Sequence, residues 1–303
     1  MARHNIVHIY GYVHVQPNVI KNEAGKIESV ITHVILVSSS RPIIDNNAEE
    51  FATFDQAMVL TRDPEMAKKM ATLNVNDVVV LKGTLNTRNV PKIITCENCH
   101  RQFLVSKNGE KDLALAQVSA ETEQDLYTSM KTFITPIALD IRKTGLTQEE
   151  AMNFIIKMRE MSNEIQLVGR LCIDPVQWEG GKATTYQLAV VRQFYVKDDN
   201  PQTRTDYPYI RVYGGQAEND YRALSKSSMV LVDGTLKTRR FKRTNTCPEC
   251  KCVKEWYDKV LEVIPYSVQY LKDYKTAEMI NAENEAAIAA SGLFTSEVSG
   301  GEI

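Results

Sequence analysis

Two cysteine pairs have the spacing of metal knuckles, Cys96-Glu-Asn-Cys99 and Cys247-Pro-Glu-Cys250. A structural zinc takes four thiolate or imidazole ligands in a tetrahedron, so one C-x-x-C pair supplies half a site and two supply a whole one. The same pattern precedes both pairs: Val80-Leu-Lys-Gly83-Thr-Leu-Asn-Thr-Arg88 before the first, Leu231-Val-Asp-Gly234-Thr-Leu-Lys-Thr-Arg239 before the second. One offset of 151 residues registers the Gly, the Thr-Leu, the Thr-Arg and both cysteines. A second match, Asn5-Ile-Val-His-Ile-Tyr-Gly11 on Asn163-Glu-Ile-Gln-Leu-Val-Gly169, extends the repeat toward its start at an offset of 158. The chain is therefore a duplication of a unit of roughly 110 residues, each large enough to bury its own core.

If the two units associate about a pseudo-twofold axis, Cys96, Cys99, Cys247 and Cys250 meet on one zinc ion and clasp two hairpins. The rival arrangements are separate sites, one drawing on His100 and the other on Cys252, or a bridge between molecules. A thioredoxin-like dithiol is not expected, because such a pair sits at a helix start beside a βαβ pattern. Here each pair precedes a strand-like run, Arg101-Gln-Phe-Leu-Val and Lys254-Glu-Trp-Tyr-Asp. The remaining cysteine, Cys172, reads as core packing.

A second constellation suits a polyanion with flat bases. Tyr207, Tyr209, Arg211 and Tyr213 alternate with Pro208, Ile210 and Val212, so Ile210 and Val212 fill a core while three rings and a guanidinium face outward. Beside it, on the next strand, Lys237, Arg239, Phe241 and Arg243 share a face, and Arg240 and Lys242 complete a run of five cations without an acid. Rings stack on unpaired bases at about 1–3 kcal/mol each and cations follow phosphates, with little regard to base identity. The same run in the first unit is thinner, Asn86-Thr-Arg88-Asn-Val-Pro-Lys92, and residues 163–274 carry 14 aromatics against 7 in residues 1–146. The expectation is unequal work: the second unit grips, while the first, through Phe54 and Arg88, adds minor contacts.

The elements that must hold these residues are mostly strands. Val30–Val37, Tyr186–Val191 and Met229–Asp233 are β-branched runs bounded by Gly, Asn or Asp. One short helix precedes each duplicated Gly strand, at about 64–73 and 216–225. Five strands with a helix between the third and fourth is the order of an OB-fold barrel. Thr147-Gln-Glu-Glu150 is a capping box before Ala151, Met152, Ile155 and Met158 at helical spacing, which predicts a linking helix packed on one barrel. The expected architecture is mainly β, with two tandem OB-fold barrels joined by that helix. The expected divisions are residues 1–146, with an insertion near 107–131, a linker at 147–162, a second unit at 163–275 and an acidic tail at 276–303.

Composition describes an ordinary globular protein, with 43% apolar and 24% charged residues. Nothing approaches the roughly 20 apolar residues of a membrane span, and the start does not read as a signal peptide, so the expected place is the cytoplasm. The net charge of −2 hides an asymmetry, since residues 276–303 hold five Glu and neither Lys nor Arg. The phosphate-cradling, zincin and nucleophile-elbow motifs are absent, and all five histidines lie in the first unit in strand-like or polar contexts. An enzyme is therefore not expected, and a metal-dependent nuclease is the weaker rival reading. An RNA-binding or protein-interaction OB module is another.

The segments Asn163–Pro175, Tyr186-Gln-Leu-Ala-Val190 and Ala217–Phe241 together resemble the bacterial single-stranded DNA-binding protein family, and residues 5–88 resemble it more faintly. That resemblance implies a nucleoid-associated coat for exposed strands during replication, repair, recombination or transfer. It places the family's stacking aromatics on Phe194, Tyr207, Tyr213 and Phe241. In the first unit the same positions fall on Phe54, Leu60, Val90 and the Ser38–Ser40 region. The family recruits replication and repair partners through an acidic tip. Here Glu297 and Glu302 lie near Phe294 and Ile303 without the usual Asp run and Pro-Phe, so that role is an expectation for the tail alone. Two barrels in one chain can stand for a dimer, and a homodimer of such chains for a tetramer. The family generally lacks the cysteine pairs, so the zinc reading stands on the residues themselves.

Overall fold

The computed structural model describes residues 4–39, 52–91, 93–100, 102–104, 113–114, 128–192, 205–247 and 249–290. The first unit runs β1 (Asn5–Lys21), β2 (Ile27–Ser39), β3 (Ala52–Thr61), α1 (Pro64–Ala71) and β4 (Val78–Pro91). Three short strands, β5 (Ile93–Thr95), β6 (Gln102–Leu104) and β7 (Leu113–Ala114), form a separate small sheet before β8 (Thr128–Lys143). After α2 (Gln148–Lys157) the second unit repeats the order. It comprises β9 (Asn163–Leu171), β10 (Val176–Trp178), β11 (Ala183–Val191), β12 (Thr205–Asp206), β13 (Tyr209–Tyr213), α3 (Gly214–Ala223), β14 (Met229–Thr246) and β15 (Val253–Lys272).

Each unit closes into a five-stranded barrel. In the first, β1 pairs with β2 and β4, β2 with β3, and β4 with β8, and a parallel bridge Val59↔Ile134 seals β3 to β8. The second repeats it, with Ile210↔Val263 sealing β13 to β15. This corrects the expectation that the third and fourth strands of the second unit are neighbours. β15 lies between β13 and β14, because a barrel of this order closes by bringing its third strand to its fifth.

The duplicated residues explain themselves in this frame. Asn5 Nδ2 donates to the Leu85 carbonyl at 2.8 Å and its Oδ1 accepts from Leu85 N at 2.8 Å; Asn163 does the same to Leu236 at 2.8 and 2.9 Å. Each asparagine thus satisfies β4 or β14 where it leaves its barrel neighbour, a buried backbone that would otherwise lack partners. Gly83 and Gly234 sit where the pairing slips by one residue, and a Cβ there would come within 2.4 and 2.3 Å of the carbonyls of Thr135 and Ile264. Only glycine allows so close a crossing at a bulge.

Alternation fills both barrels. Val7, Ile9, Val34, Leu36, Val59, Leu81 and Ile134 in the first, with Ile165, Leu167, Tyr186, Leu188, Ile210, Val230 and Val263 in the second, belong to one contiguous core. α1 begins where Asp63 accepts from the Glu65 and Met66 amides ahead of Pro64, and it buries Ala67 and Met70 at i, i+3 spacing. α2 carries the capping box of Thr147 and Glu150 and buries Ala151, Ile155 and Ile156 against Tyr12, Val37 and Val78 of the first barrel. Each buried isoleucine there stabilises by about 1.5–3 kcal/mol.

The barrels are joined edge to edge. β1 pairs antiparallel with β9 from Asn5↔Leu167 to Ile9↔Asn163, centred on Val7↔Ile165. Those central residues are equivalents at the offset of 158, so residue and partner exchange roles across the joint, as in an isologous dimer interface. Beyond its barrel each fourth strand continues as a two-stranded arm with the fifth. The first arm runs from Asn86↔Phe133 to Pro91↔Thr128 and the second from Lys237↔Glu262 to Thr246↔Val253. The chain's last described element is α4 (Ala277–Ala290), none of whose residues is buried. Among the described residues no helix is long and apolar enough to cross a membrane. Phe194, most of the insertion near 107–131 and the acidic tip with Glu297 and Glu302 lie outside the described residues.

Candidate nucleic-acid interface and cysteine cluster

The two arms bring the knuckles together. Cys96 Sγ lies 3.5 Å from Cys250 Sγ and Cys99 Sγ 3.7 Å from Cys247 Sγ, and the four sulfurs lie within 4.8 Å of one another. A tetrahedron of thiolates around zinc, with bonds of about 2.3 Å, has edges of about 3.8 Å, so the spacing fits such an ion. Each knuckle folds alike: His100 N donates to the Cys96 carbonyl at 2.9 Å and Lys251 N to that of Cys247 at 3.1 Å, and both residues take left-handed φ, 56° and 58°. Amides of Cys99 and Asn98 aimed at the Cys96 sulfur, with the Cys250 and Cys99 thiols, draw its pKa down to about 6 against the opposing effect of burial. Thiolate is the form a metal takes. Among the described residues the cluster contains neither His100 nor Cys252; Cys252 packs beside it and accepts from Asn98 Nδ2 at 3.1 Å. Cys172, half-buried, stands apart with its pKa raised by burial.

On β13 and the residues before it, Tyr207, Tyr209 and Tyr213 are 43%, 37% and 48% exposed, while Pro208, Ile210 and Val212 are buried. Arg211 shares their parity yet is buried. Its Nε donates to the Tyr213 hydroxyl at 2.8 Å and its guanidinium lies over that ring at 5.5 Å, so the pair forms one stacked plate. Sequence reasoning missed an indole on the same sheet face. Trp178 pairs with Ala183, which pairs with Tyr213, and Trp178 is 53% exposed. Its position two residues before Gly180-Gly181, in a short excursion between strands, was the available signal.

On the second arm, Lys237, Arg239 and Phe241 alternate on the face continuous with the outside of their own barrel. Arg239 forks onto Glu262, with nitrogen–oxygen distances of 2.7 and 3.0 Å, and its guanidinium lies over Phe241 at 5.2 Å. Arg240 and Lys242 are exposed on the opposite face, Lys242 pairing with Glu255 at 2.6 Å. Arg243 takes its place in the ladder opposite Trp256. In the first unit Phe54 and Arg88 are both exposed.

Two buried aspartates dock each arm on the other barrel. Asp206 Oδ1 accepts from Thr87 N at 2.8 Å, and Asp55 Oδ1 from Thr238 N at 2.7 Å. Tyr207 N donates to Thr87 Oγ1 at 2.7 Å, and Thr238 Oγ1 to the Gln56 carbonyl at 3.4 Å. Every member maps onto its counterpart at the offset of 151, so the clamps are mates about the pseudo-twofold axis. The match also resets the internal register. Gln56 and Arg62, not Phe54 and Leu60, occupy the places of Tyr207 and Tyr213, while Val90 does correspond to Phe241.

The clamps differ in charge balance. Asp206 is also gripped by the buried Arg192, Nε to Oδ2 at 2.5 Å and Nη2 to Oδ1 at 3.0 Å. Ser38 takes the place of Arg192 in the first unit. Asp55 has its pKa raised by burial, against the lowering effects of the Thr238 amide and of Lys237. Neither aspartate was singled out from the sequence, although both keep the duplicate offset.

The description single-strand binding protein family matches residues 162–252. A single-stranded DNA-binding protein 1 of Staphylococcus aureus is 35% identical over 119 residues, 38% of this chain and 69% of that protein. A single-stranded DNA-binding protein 2 of Listeria innocua is 32% identical over 127 residues, 41% of this chain and 73% of that protein. Among solved structures, the wild-type single-stranded DNA binding protein from Thermus aquaticus aligns with 91% of this chain and 97% of its own at a TM-score of 0.49 and 15% identity.

Proposed function

This chain belongs to the single-strand binding protein family, and from that premise we propose that it coats single-stranded DNA with little sequence preference. It acts as a binder, not an enzyme, protecting strands exposed in replication, repair, recombination or transfer. The observation that carries the reading is the outward row of Tyr207, Tyr209 and Tyr213 over a barrel already filled by Ile210 and Val212. Rings left in water opposite a satisfied core are stacking platforms for bases. Trp178 and Phe241 extend the set of rings, and Lys237, Arg239 and the remaining cations of the second arm supply phosphate contacts.

The cysteine cluster holds one zinc ion through Cys96, Cys99, Cys247 and Cys250. The ion supplies no chemistry on DNA. It ties the tips of two arms that would otherwise be long two-stranded ribbons, which are marginal alone.

Titration of fluorescent oligo-dT tests the binding reading. Replacing Tyr207, Tyr213 and Phe241 by Ala is expected to cost far more affinity than replacing Phe54 and Arg88. Equal losses overturn the primacy of the second unit, and a wild type that ignores oligo-dT overturns the function. Competition with oligo-U of equal length separates DNA from RNA.

A further inference from the structure

The five-cation run and the tyrosine row come from one unit, but the arms do not stay with their own barrels. Asp55 holds the second arm against β3 of the first barrel through Thr238, and Asp206 holds the first arm against the second barrel through Thr87. The arms then continue over the outer face of the second and third strands, which is the ligand face of an OB barrel. In the second unit Gln187, paired with Tyr209 on that face, donates from Nε2 to Met130 Sδ of the first arm at 3.9 Å. In the first unit His33, paired with Met58, occupies the place of Gln187, and Lys259 occupies the place of Met130. Lys259 is close enough there to lower the proton affinity of His33, together with burial, which is the larger cause, and His14.

The faces of the two arms turned toward the opposite barrel follow from their ladders, since directly paired residues lie on one side. On the first arm the described side chains there are Thr87 and Thr132, paired with one another, and Met130 one pair further out, without a charge. On the second they are Thr238↔Leu261, Arg240↔Lys259 and Lys242↔Tyr257, with three cations and a tyrosine that is 69% exposed. The chain has therefore divided two ingredients of strand binding between two places. The groove over the second barrel has rings and a neutral wall; the groove over the first has few rings and a cationic wall.

We infer that single-stranded DNA runs through two composite grooves of different character, a stacking groove on Tyr207, Tyr209 and Tyr213 walled by the first arm, and a phosphate groove on Phe54, Gln56 and Met58 walled by Arg240 and Lys259 of the second. The inference rests on the single-strand reading and assigns Arg240 and Lys259 to DNA lying on the first barrel, not on their own. The first barrel is thereby a salt-dependent half of the site.

Double-mutant cycles with short oligo-dT test it, and Arg240 and Lys259 are exposed, so their removal leaves folding intact. Phe54→Ala and Arg240→Ala touch the same stretch of DNA, and their combined loss of affinity falls severalfold short of the product of the single losses. Tyr209→Ala and Arg240→Ala serve different grooves, and their losses multiply. Arg240→Ala with Lys259→Ala lowers the salt slope by about 1.4, at about 0.7 per phosphate contact on a single strand, whereas Tyr209→Ala weakens binding and keeps the slope. Coupling of Arg240 to Tyr209 instead of Phe54, or cycles that multiply throughout, overturns the composite grooves while leaving the binding function standing. A wild type without affinity for oligo-dT overturns the function itself.

Discussion

The two arms follow one plan and carry opposite instructions. Both leave their barrels at a duplicated Gly-Thr-Leu, both are clamped by a duplicated aspartate, and both end in a C-x-x-C knuckle. Yet the described side chains that one lays on its neighbour are Thr87, Met130 and Thr132, and those that the other lays are Thr238, Arg240, Lys242, Tyr257, Lys259 and Leu261. In a symmetric homodimer both grooves would be the same, because one sequence would build both. A tandem chain is released from that constraint, and the difference shows which features are needed for the joint and which are free to specialise. Those common to both halves, Asn5 and Asn163, Gly83 and Gly234, Asp55 and Asp206, and the four cysteines, all hold the frame. Those that differ, Tyr209 against Met58 and Lys259 against Met130, face solvent or the groove.

The largest effect that would sharpen this comparison is removal of the rings. Tyr207, Tyr209 and Tyr213 together replaced by Ala should weaken oligo-dT binding at least about a hundredfold, since each stacked base contributes about 1–3 kcal/mol. The salt slope should stay nearly constant. A loss below tenfold would mean that the cationic groove dominates.

The clamps come next, and they should respond unequally. Asp206→Asn keeps an oxygen for Thr87 N but takes the carboxylate charge away from the buried Arg192 guanidinium, which should cost about 3–5 kcal/mol in urea unfolding. Asp55→Asn keeps the acceptor for Thr238 N and removes a carboxylate whose charged form burial already disfavours, so stability should change by less than about 1 kcal/mol or rise. The sign follows from linkage. With its folded pKa above the unfolded value, Asp55 stabilises the fold relative to the ionised state only at low pH, and that contribution is lost as pH rises through the folded pKa. Asp55→Asn should therefore flatten this part of the pH dependence near and above the carboxyl range. Equal costs at the two aspartates would show that Arg192 adds nothing to the clamp.

Smaller is the effect of opening the cysteine cluster. Mass spectrometry of the native protein should find one zinc per chain, and Cys99→Ser with Cys250→Ser should find none. The barrels should stay folded, because their core does not include the cluster, while oligo-dT affinity falls by a few fold as the arm tips separate. Two ions per chain would split the site into the independent knuckles.

What the sequence made legible was whatever repeats or alternates. The Gly, Thr-Arg and cysteine register located β4, β14 and the knuckles, and the parity of Tyr207 to Tyr213 located the outer row. The capping box located α2. What it hid were contacts between units, because the clamps join residues 119 and 183 positions apart and their flanks, Phe54-Asp-Gln56 and Thr205-Asp-Tyr207, share only the aspartate. Matching ring to ring set Phe54 on Tyr207, two positions out of register on the same face; matching the buried acid would have placed it. The adjacency of third and fourth strands also failed, since chain order says nothing of the fifth strand inserted between them. Arg211 was read as an outward cation from parity alone, and parity cannot report that Tyr213 folds over it.

His33 offers the mildest and most local way to break the comparison. In the free protein its proton affinity is lowered by burial first, then by His14 and Lys259. If phosphates enter the groove beneath the second arm, they oppose Lys259 and add negative charge near the imidazole, so its pKa rises on binding. Binding then takes up a proton over the interval between the free and bound values, and oligo-dT affinity increases as pH falls through that interval, by less than tenfold per unit for one proton. His33→Gln should remove that increment while leaving affinity at pH 8 unchanged, and the equivalent position in the second groove, Gln187, offers no proton to exchange. A pH profile that is identical in wild type and His33→Gln would place the phosphates elsewhere and leave the first groove without DNA.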